Sequence, residues 1–347
     1  MRTLGATIVA AAALAVPAAG VPVGIQVPAG FRVETFATGL SQPTAMAYGP
    51  DNRIYATQTG GTLVAIRRGT KRPQVLVRGL RTPLGLAWRG RTLFVSEQGR
   101  LERLTLRGGR LVGRHVVVKG LPFGRHQQDN VVLGRDGRLY WGSGSTCDAC
   151  RERSARSATI LSLRPDGSNL RVYARGLRNP YGLAFQPGTG RLYATVNGQD
   201  EIGTARDPEP AEMVAAVRRG AFYGWPGCWP NARTLRLSGH CRGVTRPSAY
   251  LEPHSSADGI AFYTGRAFPR GYRGNLFVAE WGEYLHAHFG RRVVRVELRP
   301  NGTARRVSVF ASGFAHPLAL LVDHRGGLLV ADWGRGTVYR IQARGRP

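Results

Sequence analysis

The chain of 347 residues carries 49 Lys and Arg against 21 Asp and Glu, a formal charge of +28. Lys71 and Lys119 are its only lysines, so the charge is almost wholly arginine. The arginines are scattered through every segment without a basic tract or a nucleic-acid motif; this excludes nucleic acid as an expected partner and leaves an anionic cell-envelope surface as one.

The chain opens with Arg2, an apolar run from Leu4 to Val16, and the small residues Pro17-Ala18-Ala19-Gly20. That order is the order of a secretory signal peptide, here residues 1–20. The run falls short of the about 20 apolar residues a membrane span requires. No later stretch is long and apolar enough to span a bilayer. The expectation is a secreted, extracytoplasmic protein whose mature chain has no transmembrane segment and forms one domain over residues 25–343.

From Gly39 onward one pattern is written six times. The copies begin near Gly39, Gly79, Leu121, Gly176, His254 and Gly313. Each continues into an apolar strand: Thr44-Ala-Met-Ala-Tyr48, Leu84-Gly-Leu-Ala-Trp88, Asp129-Asn-Val-Val-Leu133, Tyr181-Gly-Leu-Ala-Phe185, Asp258-Gly-Ile-Ala-Phe262 and Leu318-Ala-Leu-Leu-Val322. Each then turns at Gly, Asp or Asn into a second strand such as Arg53-Ile-Tyr-Ala56 or Arg138-Leu-Tyr-Trp141. Repeats this short cannot bury their own apolar faces and must pack on one another around an axis. The spacing of roughly 40 to 60 residues, with about four short strands per copy, predicts an all-β, six-bladed β-propeller of four-stranded antiparallel blades. A β-sandwich would not explain the strict recurrence.

The four cysteines fall in two close pairs. Cys228 and Cys241 flank a Gly-, Pro- and Arg-rich loop, and in an oxidising compartment a disulfide is the natural inference, stabilising by about 3 kcal/mol on the chain-entropy account. Cys147-Asp-Ala-Cys150 is a C-x-x-C that a small-loop disulfide, a redox pair or half a zinc site would all satisfy. The second pair has the wrong spacing for zinc, no thioredoxin-like βαβ pattern surrounds the first, and Arg151 stands where c-type haem attachment needs His. Disulfides are expected at both pairs.

In a propeller the residues just before each inner strand ring the channel mouth. Counting back equally gives Ser41, Arg81, His126, Arg178, Ser255 and Ala315, and next to them Gln42, Thr82, Gln127, Asn179, Ser256 and His316. Convergent polar groups at such a mouth are a candidate binding site.

Gly176-Leu-Arg-Asn-Pro-Tyr-Gly-Leu-Ala-Phe185 followed by Asn197-Gly-Gln-Asp-Glu201 resembles the most diagnostic block of soluble quinoprotein sugar dehydrogenases and sorbosone dehydrogenases. Phe222-Tyr-Gly-Trp-Pro226, Cys241-Arg-Gly-Val244, Pro253-His-Ser-Ser256 and Tyr272-Arg-Gly-Asn-Leu-Phe-Val278 continue the likeness over nearly the whole chain, closer to the sorbosone branch. The resemblance implies pyrroloquinoline quinone (PQQ) at the channel mouth with Ca2+ near it. It implies His126 as the general base and Arg178 as the cation that polarises the quinone oxygen. Asn179, Arg81 and Gln127 would join Arg178 on the cofactor. Asp200 and Glu201, with Glu212 and Tyr223 downstream, fall in the family's metal region. The cations that grip the cofactor from blades five and six in the glucose branch are replaced by Val278-Ala-Glu-Trp-Gly282 and Ala315-His-Pro-Leu-Ala-Leu320. Glu280 would repel a tricarboxylate if it faced the channel, and Arg81 and His316 are the compensating candidates. Glu283, His286 and His288 form a further cluster, read as an exposed loop in preference to a metal site.

The expected function is oxidation of a sugar, polyol or sugar aldehyde by hydride transfer to PQQ. A separate electron acceptor is required because the chain has no haem motif. The alternative is a secreted, non-catalytic propeller that binds anionic envelope glycans. A lactone hydrolase on the same scaffold is a third reading, resting on mouth carboxylates and histidines alone.

Overall fold

The computed structural model describes residues 24–200, 202, 209–283 and 289–345; the expected signal peptide, Glu201, His286 and His288 lie outside them. Among the described residues the chain forms six four-stranded antiparallel sheets, one two-stranded hairpin and a single 3-10 turn, Arg270–Tyr272. The sheets are the blades of a β-propeller. Their inner strands are Pro43–Tyr48, Gly85–Arg89, Gln128–Leu133, Leu183–Phe185, Ala257–Phe262 and Pro317–Val322, one from each repeat. No helix of the described residues is long and apolar enough to cross a membrane.

Strand side chains alternate between the two faces of a sheet, so a blade between two neighbours needs apolar residues on both. In the second strand of blade two, Leu93 and Val95 pack against blade one while Phe94 packs against blade three. In blade four Leu192 and Ala194 face blade three, and Tyr193 faces blade five. Six apolar clusters result, each shared by two adjacent blades, and the one joining blades six and one completes the circle.

The ring is closed by the start of the chain. Phe31–Ala37 pairs antiparallel with Thr337–Ala343, Phe31 opposite Ala343 and Glu34 opposite Arg340. Blade six therefore takes its outer strand from the beginning of the sequence and its other three from the end. Blade four departs from the common plan. The hairpin Cys228–Asn231 and Arg236–Gly239 interrupts it before the short outer strand Ala249–Tyr250, and the Cys228–Cys241 disulfide ties the insertion down. Cys147 and Cys150 form the second disulfide.

Trp141 joins blades two and three. It is fully buried, and its indole N–H donates to Ser96 Oγ of blade two at 2.6 Å. Replacing it by Ala should lower stability by about 3–5 kcal/mol, read as a lower denaturant midpoint at unchanged slope.

Candidate active site

The mouth of the channel is built by one backbone device repeated around the ring. In five blades the amide just past the second strand donates to the carbonyl of the second mouth position: Thr59 to Gln42, Gly144 to Gln127, Asn197 to Asn179, Trp281 to Ser256 and Trp333 to His316. Blade two makes the bond one residue earlier, Gln98 to Arg81. Counting in the sequence and bonding in the fold thus select the same ring.

The last residue of the second strand completes the device. Gln58 accepts from the Ser41 amide at 2.6 Å, Glu97 from Arg81 at 2.5 Å, and Asp332 from Ala315 at 2.8 Å and His316 at 3.0 Å. Glu280 holds this position in blade five. It is 1% exposed and accepts from Arg292 Nε at 2.5 Å, so it is turned into the blade and presents no charge to the channel. Burial nevertheless raises its carboxyl to about 7, because the Arg292 charge offsets only part of the desolvation.

His126 and Arg178 are brought together through Ser145. The His126 amide donates to the Ser145 carbonyl at 3.0 Å, and the Ser145 amide donates to the Arg178 carbonyl at 2.7 Å. His126 Nδ1 lies 2.9 Å from Ser145 Oγ, whose own proton is committed to the Cys147 carbonyl at 2.7 Å. The hydroxyl can therefore only accept from the ring, which puts the proton on Nδ1 and leaves the Nε2 lone pair as the basic atom. Burial, reinforced by the Arg178 charge and opposed by Asp200, lowers the imidazole to about 3. The ring is neutral at any ordinary pH.

Arg178 is 3% exposed and surrounded by acceptors. Its Nη2 donates to Asp148 Oδ1 at 2.5 Å and Asp200 Oδ2 at 2.8 Å, and its Nε to the Asp148 carbonyl at 3.1 Å. Arg125, at 44% side-chain exposure, reaches the same Asp200 oxygen at 2.5 Å. Burial would raise the Asp148 carboxyl, but the Asp200 amide, Arg178 and Arg125 together hold it below its usual value. Asp148 is the residue sequence reasoning missed. It sits inside the Cys147–Cys150 loop, which Trp225 Nε1 pins at the Asp148 carbonyl at 3.0 Å. The signal available was an acidic residue between two cysteines that the fold had no other reason to bridge.

The other expected residues divide. Asn179 Nδ2 donates to Asn197 Oδ1 at 2.7 Å, while its own Oδ1 is buried without a partner. That oxygen faces Gly144, where a Cβ would come within 2.6 Å of it and 2.5 Å of His126 Cβ. Gln127 is turned to blade two, its amide donating to the Thr82 carbonyl at 2.7 Å. Arg81 is exposed at the mouth. Asp200 is an arginine partner. Glu212 is buried and takes the Gly198 amide at 2.6 Å, with desolvation raising it to about 8. Tyr223 donates to the Ala216 carbonyl at 2.6 Å and so holds its own blade. Among the described residues, Cys147, Cys150 and Glu152 are the only grouping of three His, Cys, Asp or Glu close enough to share a metal, and its thiols are spent on a disulfide.

Across the mouth, where the expected cations are missing, stands an aromatic group. His316 stacks on Trp281 at 3.9 Å between ring centroids, and Trp333 meets Trp281 edge-on at 5.5 Å. Trp333 Nε1 is anchored on Thr59 Oγ1 at 2.9 Å, so blades five, six and one all take part. The opposite sides of the mouth are therefore unlike: charged at blades three and four, flat and aromatic at five and six.

Titration of the His126 ring followed by NMR should show protonation near pH 3 rather than near 6.5, and Arg178→Met should move the midpoint upward.

Residues 96–330 match the family model described as Glucose / Sorbosone dehydrogenase. The PQQ domain of a pyranose dehydrogenase from Coprinopsis cinerea superposes with a TM-score of 0.80 at 19% identity, covering 94% of this chain and 99% of that one. A PQQ-bound aldose sugar dehydrogenase from Streptomyces coelicolor gives 0.71 at 22% identity, over 92% and 100% of the two chains. An aldose sugar dehydrogenase of Escherichia coli is 24% identical over 126 residues, 33% of this chain and 30% of that one. At these identities the structural likenesses establish the fold.

Proposed function

The chain belongs to the glucose/sorbosone dehydrogenase family, and from that premise we propose that it oxidises a sugar, polyol or sugar aldehyde at the channel mouth with PQQ as hydride acceptor. The observation that carries this reading is the His126 imidazole, neutral, oriented by Ser145 and left with its Nε2 lone pair beside the buried Arg178.

Two features of the mouth fit a planar, polyanionic quinone. The buried Asn179 Oδ1 has no partner and faces a cradle that any side chain at residue 144 would fill. The exposed Arg81 adds a cation to the side where Arg125 and Arg178 stand, their charges offset by Asp148 and Asp200. Arg178, Asn179 and Arg81 would hold the group, and the ring of His316 and Trp281 would offer it or the sugar a flat face. Once bound, PQQ supplies the two-electron acceptor that no side chain of the protein provides. Calcium at Asp200 does not fit as well: its carboxylate is already shared by two guanidinium groups.

In this reading His126 Nε2 takes the proton of the substrate hydroxyl as the neighbouring C–H gives up hydride. Its low pKa keeps the resting ring in base form, and the nearby Asp200 carboxylate favours the imidazolium that forms when the proton is taken. Arg178 stays charged and fixed, ready for negative charge developing on the acceptor side without reorganisation at the moment of reaction. Gln127 contributes indirectly by fixing the loop that carries His126 to Thr82. The two disulfides suit an oxidising, extracytoplasmic compartment, and electrons pass on to a separate acceptor.

His126→Ala should reduce turnover by about 10²–10⁴-fold with the far-UV spectrum unchanged. The reaction rate should show no loss attributable to imidazole protonation until pH approaches about 3. Calorimetric titration with PQQ should give micromolar or tighter binding that weakens in Arg178→Ala. Folded protein that takes up no quinone, yet binds anionic glycans more tightly as salt falls, would instead favour the binding-module reading.

A further inference from the structure

Three residues past the mouth ring, each blade contributes one residue, within or just before its inner strand, to a common layer: Thr44, Leu84, Asp129, Tyr181, Asp258 and Leu318. Half of that layer is closed. Leu84 and Leu318 are apolar, and the Thr44 hydroxyl is committed to Thr57 and the Pro83 carbonyl at 2.8 and 2.6 Å. The other half, on the adjacent blades three, four and five, places two carboxyls and a phenol side by side.

These three groups are more than nine-tenths buried, at 1% exposure for Asp129, 9% for Tyr181 and 6% for Asp258. Asp129 Oδ2 and the Tyr181 hydroxyl have no hydrogen-bond partner among the described residues. Among the described residues the only hydrogen bond to the Asp258 carboxyl runs from Asn197 Nδ2, long at 3.3 Å. The charges of both carboxylates act on the Tyr181 hydroxyl, which lies within electrostatic reach of each, and no cation among the described residues acts on either carboxyl. Two glycines bring the strands this close. A Cβ at Gly142 would lie 2.2 Å from the Pro180 carbonyl oxygen and 3.4 Å from Asp129 Cβ, and one at Gly182 would lie 2.2 Å from the Asp258 carbonyl oxygen. Below the layer opens a channel cavity of about 270 Å³, lined in part by Tyr181 and Asn130.

We propose that Asp129, Tyr181 and Asp258 form a site for one divalent cation of the calcium class at the neck of the channel, beneath the mouth and separate from it. Two carboxylates balance the charge of one such ion. All the donors are hard oxygens, and the channel water completes a shell of six to eight ligands. Unpaired, the same groups leave two carboxyls and a phenol desolvated without compensation. The ion ties together blades three, four and five, and His126 and Arg178 stand three residues before Asp129 and Tyr181 on the first two.

The test uses the full chain, stripped with chelator and titrated with calcium chloride alone. Binding is read by equilibrium dialysis with metal analysis, and stability by the melting temperature. Wild type should bind one equivalent that Asp129→Asn weakens by at least about 100-fold, while Asp200→Asn at the mouth retains it. Calcium should raise the melting temperature of wild type and not that of Asp129→Asn. Should Asp129→Asn fail to fold, Tyr181→Phe removes one neutral donor and should weaken binding by about tenfold. Stripped wild type that binds no calcium and melts at one temperature with or without it would overturn the site and leave a carboxyl pair sharing a proton. Equal retention by wild type, Asp129→Asn and Tyr181→Phe would overturn it as well.

Discussion

Everything in this molecule depends on blades that are apolar on both faces. A sheet with Leu93 and Val95 on one side and Phe94 on the other cannot be satisfied by a single partner, and neither can any of its five counterparts. Only a closed ring supplies two neighbours to each. Closure falls to the pairing of Phe31–Ala37 with Thr337–Ala343, which joins the two ends of the described chain in one sheet and removes the free edges that a broken ring would expose. The channel mouth is a consequence of that circle, because six inner strands meet at it in common register.

The same geometry sets the electrostatics of the site. A strand terminus at the mouth leaves backbone amides to be satisfied, and Gln58, Glu97 and Asp332 do so from the ends of the second strands. Carboxylates used in this way are removed from the channel. Those that remain near the mouth, Asp148 and Asp200, are held by arginines, so burial of Arg178 is compensated while its cationic character is kept. The same packing partly buries His126. Desolvation and a nearby guanidinium then act in one direction, and the ring stays neutral with a tautomer dictated by Ser145.

Much of the architecture was legible beforehand, for a physical reason. The period-two pattern of each inner strand and the turn residues after it are local properties, and they recur because every blade faces the same packing problem. Counting from one copy to the next therefore located the mouth ring, His126 and Arg178 included. Asp148 escaped notice because it lies in an insertion specific to one blade, where no repeat offers a register. Repeat counting sets the height of Gln127 and Glu280 at the mouth but leaves open which way their side chains turn. Whether a residue at a strand end looks into the channel, across to the next blade or back into its own turn depends on which amide is unsatisfied nearby. The pairing of Asp200 with two arginines likewise joins residues 75 and 22 positions apart, a separation no local pattern reports.

The amino-acid sequence by itself determined that the chain must be a six-bladed ring of antiparallel β-blades with His126 and Arg178 on neighbouring blades at one mouth. It did so because apolar alternation and turn chemistry are written in consecutive residues. Tertiary structure alone decided which carboxylates are spent on backbone and arginine and which nitrogen of His126 is basic. It alone decided that Asp129 Oδ2 and the Tyr181 hydroxyl are buried without a partner among the described residues, and that the first strand completes the last blade. Each of those outcomes depends on distances between segments far apart in the chain, set only when every blade has found both of its neighbours.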